Sequence, residues 1–148
     1  MRKGEIHFRV PADRVKRLKD KIRKLTSRKW SVAMEYRLHK LAQLMRGWVQ
    51  YYKMANMKGI TRDTDQWTRR RLRAVRWKEW KKIRTKHDNL VRLGIENSKA
   101  WEYANTRKKY WRISGSWILT KSLTNRYWLS QGYKDFSSYY LSVKVVVS

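Results

Sequence analysis

Cysteine is absent from all 148 residues. That removes disulfides, thiol nucleophiles and thiolate-based zinc sites, and it agrees with a reducing, cytoplasmic setting. Proline occurs once, at Pro11, and glycine six times, so no Pro/Gly-rich linker divides the chain. No run approaches the roughly eighteen apolar residues of a membrane-spanning helix. The segment from Met1 to Val10 is charged and lacks the apolar stretch of a signal peptide. Acidic residues are scarce too, 11 Asp and Glu against 38 Lys and Arg.

The resulting net charge of +27 opposes folding by self-repulsion unless a polyanion offsets it. A small-molecule enzyme has no use for such a field, which leaves RNA, DNA or an anionic membrane surface as counter-charge. Nine Trp and nine Tyr are too many for a disordered basic arm. A folded domain with a strongly basic surface is expected. No helix pairs its charge with a large spare apolar face, so a membrane is the poorest of these partners.

Glu5–Val10 alternates Ile6, Phe8 and Val10 with polar residues, a short strand signal that Pro11 ends. From Asp13 to Leu25, the residues Val15, Leu18, Ile22 and Leu25 form one apolar stripe, which predicts a helix with cations on its other faces. Ser31 is a candidate N-cap for a long second helix reaching about Met54. Met34, Leu38, Leu41, Met45, Trp48, Val49 and Tyr52 share an arc of that helix. Gly47 lies inside it at a cost of about 1 kcal/mol against Ala, which implies close approach of another backbone. A third helix is expected from the Thr61–Asp65 region to Arg84. Beyond it, His87–Ile95 reads as a helical turn ended by Gly94. Ser98–Arg107 and Trp117–Tyr127 read as short helices joined across a Gly115 break. Leu141–Val147 is β-prone and reads as a strand, a partner-bound tail or disorder.

The third helix carries the sharpest signal. Leu72, Val75 and Ile83 make its apolar face; Arg69, Arg73, Arg76 and Trp80 share a second, and Arg70, Trp77 and Lys81 a third. After Asp65 its one acid is Glu79, so helical i,i+4 pairing cannot neutralise the arginines. Guanidinium forks fit phosphate oxygens, and indole faces stack on unpaired bases. The arginines are therefore assigned to phosphate. Trp77 and Trp80 are assigned to bases, with core packing the open alternative, and Trp48 and Trp67 are assigned to the core. Arg28 and Lys29 beside Trp30 in the connector are further candidates, as is a second basic–aromatic cluster, Arg107, Lys108, Lys109, Tyr110, Trp111 and Arg112.

Catalytic signals are missing. His7, His39 and His87 lack ligand-like spacing, and Asp63 and Asp65 suit capping and dipole compensation better than a cation. No Gly-rich phosphate loop, nucleophile elbow or triad occurs. No catalytic residue, metal or cofactor is expected.

At the second and third helices the sequence resembles the group II intron maturase-specific domain, also called domain X or the thumb of intron-encoded reverse transcriptases. The likeness begins at Val10 with VPADRVKRLKDKIRKLTSR and continues through LMRGWVQYYKMA, Leu44–Ala55. It is most specific at DQWTRRRLRAVRWKEWKK, Asp65–Lys82, and extends through NLVRLGI, SKAWEYANTRKKYWRIS and LTNRYWLSQGY to Tyr133. Thr68 departs from a position that is often aliphatic in the family. The Tyr-x-Asp-Asp polymerase motif and a cysteine-bearing endonuclease region do not occur, so the chain is read as a free-standing maturase fragment or one piece of a longer protein.

The resemblance implies a helical domain that grips intron RNA and favours its splicing-competent fold. It carries over to Arg46, Gly47, Trp48 and Tyr52, to Trp67, Arg69, Arg70, Arg71, Arg73, Trp77 and Trp80, and to Arg107, Tyr110 and Trp111. With the charge pattern, the expected RNA-contacting set is Arg28, Lys29, Arg46, Arg69, Arg70, Arg71, Arg73, Arg76, Trp77, Lys78, Trp80, Lys81, Lys82, Arg84, Arg107, Lys108, Lys109, Tyr110 and Trp111. The expected architecture is mainly all-α. It has a lead-in with a short strand (1–12), a three-helix thumb-like bundle (13–84), a short-helix appendage (85–140) and a tail (141–148). The expected activity is binding structured intron RNA to aid splicing and mobility, without catalysis. A thumb subdomain holding template–primer beside a polymerase region, or a general structural RNA-binding protein, are the alternatives.

Overall fold

A computed structural model describes residues 9–147, with side chains to Lys144. The expected strand lies mostly outside these residues, and Val10, its last member, is buried but not in a strand. Among the described residues the elements are all helices: α1 (Ala12–Leu25), α2 (Met34–Tyr52), α3 (Lys58–Glu79), α4 (Ile83–Arg92), α5 (Asn97–Ala104), α6 (Tyr110–Ser114), α7 (Trp117–Ser122), α8 (Asn125–Gln131) and α9 (Phe136–Val147). The protein is all-α.

One apolar core runs from Val10 on the lead-in to Tyr140 on α9. α1 contributes Leu18 and Ile22 from its predicted stripe, and α2 contributes Leu38, Leu41, Met45 and Val49. α3 is the central rod, packed against α1, α6 and α9. α4 and α5 pair as a helical hairpin whose turn passes through Gly94 at φ 97°, a left-handed conformation that suits glycine.

Several boundaries differ from expectation. α2 begins at Met34 with Ala33 as its cap residue, so Ser31 does not cap it. Instead Ser31 lies in the connector, where Arg37 donates to the carbonyls of Leu25 (2.7 Å), Ser27 (3.0 Å) and Trp30 (2.6 Å). The third helix starts earlier, at Lys58, and ends earlier, at Glu79. The chain then turns through Lys81 at φ 36°, a left-handed conformation costing a non-glycine residue roughly 1–2 kcal/mol. Neither glycine nor proline marks that turn. Ile83 consequently belongs to α4 and is exposed rather than part of the α3 apolar face. The region Trp117–Tyr127 is two helices, separated at Leu123 and Thr124, with Thr124 capping α8 through its hydroxyl.

Two corrections have clear physical causes. A Cβ built at Gly47 meets nothing within 4 Å, so no close backbone approach explains that glycine. Residues 141–147, expected as a strand, a partner-bound tail or disorder, continue α9, which packs on both α2 and α3. Phe136 and Tyr140, one turn apart, are buried, and the Tyr140 hydroxyl donates to the Ala55 carbonyl (2.7 Å). β-propensity loses here to burial of an aromatic stripe and to a cap supplied from elsewhere.

That cap is Asp65. Its carboxylate is buried in mid-α3 and accepts from the Phe136 and Ser137 backbone N–H groups (2.8 and 2.9 Å), the Ser137 hydroxyl (2.7 Å) and the Tyr133 hydroxyl (2.7 Å). Capping was the right role for Asp65, but the helix capped is α9, across the core. Burial, and then the Asp65 charge, push the Tyr133 phenol well above its ordinary value. Asp135 is likewise raised, first by burial and then by Asp65, with Arg69 opposing.

Candidate nucleic-acid interface

The arginines of α3 divide by what surrounds them. Arg73 is buried, and its Nε donates to the Leu123 carbonyl (2.9 Å), tying α3 to the α7–α8 turn. Burial, helped by neighbouring Arg69, lowers its pKa to about 10. Arg69 pairs with Asp135 at 3.1 Å with 11% of its side chain exposed. Arg76 reaches Glu79 (3.1 Å) and Gln131 (3.2 Å) and lies over the Tyr127 and Trp128 rings. Arg71 donates to the Thr26 hydroxyl (2.6 Å), which itself bonds the Ile22 carbonyl at the end of α1. These four side chains brace the fold, Arg73 from a buried position and the others from partly buried ones. A buried guanidinium such as Arg73 has already exchanged water for a protein acceptor, so leaving it for phosphate would strand that acceptor.

The assignment of Trp77 and Trp80 to bases is corrected as well. Trp77 is 1% and Trp80 8% exposed, and they pack edge to face at 5.8 Å inside the core. No indole face there is open to a base. Trp48 and Trp67, assigned to the core, pack against its margin. Trp67 lies beneath Lys19, Arg23 and Arg71 at 5.3–5.8 Å. The i,i+3 and i,i+4 spacing of these residues was legible, but which face met the protein was not.

A different set of cations shares a surface. Three adjoining concavities meet at Arg28, two of them about 490 and 440 Å³. The larger lies between the α1–α2 connector and the end of α3, with Arg28, Trp30, Lys78 and Lys81 on its wall. The other runs towards the α5–α6 connector, where Lys108, Lys109, Tyr110 and Trp111 join Arg28 and Lys86. Between them lie Thr26, Arg71 and Ala74. One acid, Glu79, lines this groove, and Arg76 offsets it.

The groove is held by the braces. Arg37 ties down the connector's carbonyls, and burial lowers its own pKa, with Glu79 acting in the opposite direction. Lys78 donates to the Arg28 carbonyl (2.9 Å), which fixes the loop carrying Arg28. The Arg28 guanidinium then sits over Tyr110 at 5.1 Å. Lys86 lies over the Trp77 ring at 4.9 Å, and burial lowers its pKa. Lys86 is a groove residue that sequence reasoning missed. Its signal was weak, one lysine past an expected helix end.

Among the described residues, Arg28, Lys81, Lys108 and Lys109 make no side-chain hydrogen bond or ion pair to protein. Lys29, Lys82, Arg84 and Arg107 are exposed near the groove's connectors without lining it. Arg46 is not brought to this surface. It faces shallow depressions beside Lys134, formed by α2 and the α8–α9 region. Among the described residues no three His, Asp or Glu side chains converge as a metal-binding group, and no helix is long and apolar enough to cross a membrane. His87 is packed, stacked on Trp101 at 3.6 Å, and His39 is exposed.

A family model of the group II intron maturase-specific domain matches residues 15–94. The chain belongs to that family. No curated protein matches it. The matched segment runs from within α1 to the turn after α4 and includes Arg28, Lys78, Lys81 and Lys86. The maturase-specific domain thus supplies one wall of the groove, while Lys108, Lys109, Tyr110 and Trp111 supply the other from beyond the matched segment. Membership ties the protein to group II intron function.

Proposed function

We propose that this domain binds folded group II intron RNA along the Arg28 groove and, by holding it, assists splicing and mobility. The observation that carries the reading is the convergence on Arg28 of cations from the α1–α2 connector, α3, α4 and the α5–α6 connector, of which Arg28, Lys81, Lys108 and Lys109 have no protein acceptor among the described residues. Cations left unneutralised by the protein suit a polyanion whose condensed counterions are released on binding. The braces keep these groups spaced before RNA arrives, which limits the ordering cost of association. In this reading the domain performs no chemistry and acts by favouring one RNA fold.

The test is titration of a structured group II intron RNA at several salt concentrations. Affinity is expected to fall linearly on logarithmic axes. The combined substitution Arg28→Gln, Lys108→Gln and Lys109→Gln is expected to flatten the slope by about 3, near 1 per lost phosphate contact, with an unchanged melting curve. Affinity indifferent to salt, or a triple variant that binds like wild type, rules the groove out.

A further inference from the structure

Three tryptophans among the described residues expose two-fifths or more of their surface, or nearly so: Trp101 (40%), Trp111 (39%) and Trp117 (51%). Trp101 is stacked on His87, and the Trp117 indole N–H donates to Tyr103. Trp111 alone of the three lines the basic groove.

Its surroundings are specific. The Arg70 guanidinium lies 3.8 Å from the Trp111 ring centroid, covering one face. The same guanidinium donates to the Trp111 carbonyl (3.0 Å) and approaches the Ser114 hydroxyl (3.4 Å), which donates to that carbonyl at 2.6 Å. Ring and backbone of one residue are therefore held by one arginine. Gly115 makes room for it, since a Cβ there would stand 2.9 Å from the Arg70 Cζ. Arg70 was expected to meet phosphate, yet here it backs an indole.

A ring fixed on one face and exposed in a cationic groove has little rotamer entropy left to lose on binding. Base–aromatic stacking needs such a face, and it needs a base outside a continuous duplex stack. We propose that Trp111 is a stacking platform for a single unpaired nucleotide, with Arg70 and Gly115 as positioning residues and the neighbouring Arg28, Lys108 and Lys109 meeting its flanking phosphates. The proposal rests on the groove being the RNA-binding surface and adds what that surface selects: an extruded or bulged base rather than duplex shape alone.

The experiment compares three RNA hairpins of equal phosphate count: fully paired, with one bulged nucleotide, and with an abasic bulge. The wild-type domain is expected to bind the base-bearing bulge about tenfold more tightly than the paired hairpin. The abasic bulge should fall to the paired level. Trp111→Ala should erase the preference for the base-bearing bulge, and Trp111→Phe should keep most of it. An abasic bulge bound as well as the base-bearing one overturns the platform, and it does so on wild-type protein, independently of how the variants fold. Equal, salt-dependent binding of paired and bulged hairpins overturns the platform but leaves the groove standing. Loss of all salt-dependent RNA binding removes both.

Discussion

The arginines of α3 and the cations around Arg28 carry the same charge, yet they stand in opposite surroundings. Arg69, Arg71, Arg73 and Arg76 each find a protein acceptor: a carboxylate, a hydroxyl or a backbone carbonyl. Arg28, Lys81, Lys108 and Lys109 find none among the described residues. The difference lies in position. α3 is the rod on which α1, α6 and α9 pack, so its long side chains meet carbonyls at the ends of other helices. The groove cations sit on connectors and at the α3–α4 turn, where few protein acceptors reach them. Charge density alone does not tell a braced cation from an unpaired one; the supply of nearby acceptors does.

The largest expected effect tests the braced side. Asp65→Ala removes the acceptor of two backbone N–H groups and two hydroxyls, and should lower stability to urea by about 3 kcal/mol, as for loss of hydrogen bonds to a buried charge. The same cluster sets an alkaline limit. Tyr133 has a folded pKa raised above its unfolded value, so its contribution is complete below roughly pH 10 and is lost as pH rises towards the folded value. Stability should decline on that alkaline side in wild type and decline less in Tyr133→Phe, as read by denaturation midpoints.

Next in size, Arg73→Gln should cost about 2 kcal/mol while leaving the salt slope of RNA binding unchanged. That is the reverse of the groove triple variant, which should change the slope and spare the fold. An Arg73→Gln protein of normal stability and flattened slope would break the distinction between the two sets.

Two smaller effects sharpen the picture without touching charge. Thr68 is fully buried and its hydroxyl has no partner among the described residues, so Thr68→Val should stabilise by about 1 kcal/mol. Gly47→Ala should stabilise by about 0.8 kcal/mol, because a methyl there meets nothing and only helix propensity changes. Thermal melts check both. A destabilised Gly47→Ala protein would mean that α2 has a neighbour on its exposed face.

Helical periodicity alone made the α1 stripe and the α2 arc legible in the sequence, because Leu18, Ile22, Leu38, Leu41, Met45 and Val49 all face the core. The end of α3 was not legible, because Lys81 adopts a left-handed backbone that its identity disfavours. Nor was α9, which is capped at Phe136 by a carboxylate seventy-one residues earlier in the chain. Of the candidate site, Arg28, Lys78, Lys81, Lys108, Lys109, Tyr110 and Trp111 gather at one groove. Arg46 faces elsewhere, Trp77 and Trp80 are interior, and Lys86 had no local pattern to mark it.

Composition and period determined by themselves that the protein is helical and strongly basic, since these depend on sums and local spacing. Which cations remain without a protein acceptor was decided by tertiary structure. Each guanidinium is satisfied by whatever oxygen the fold brings within about 3 Å, and proximity across the chain is written in no local pattern.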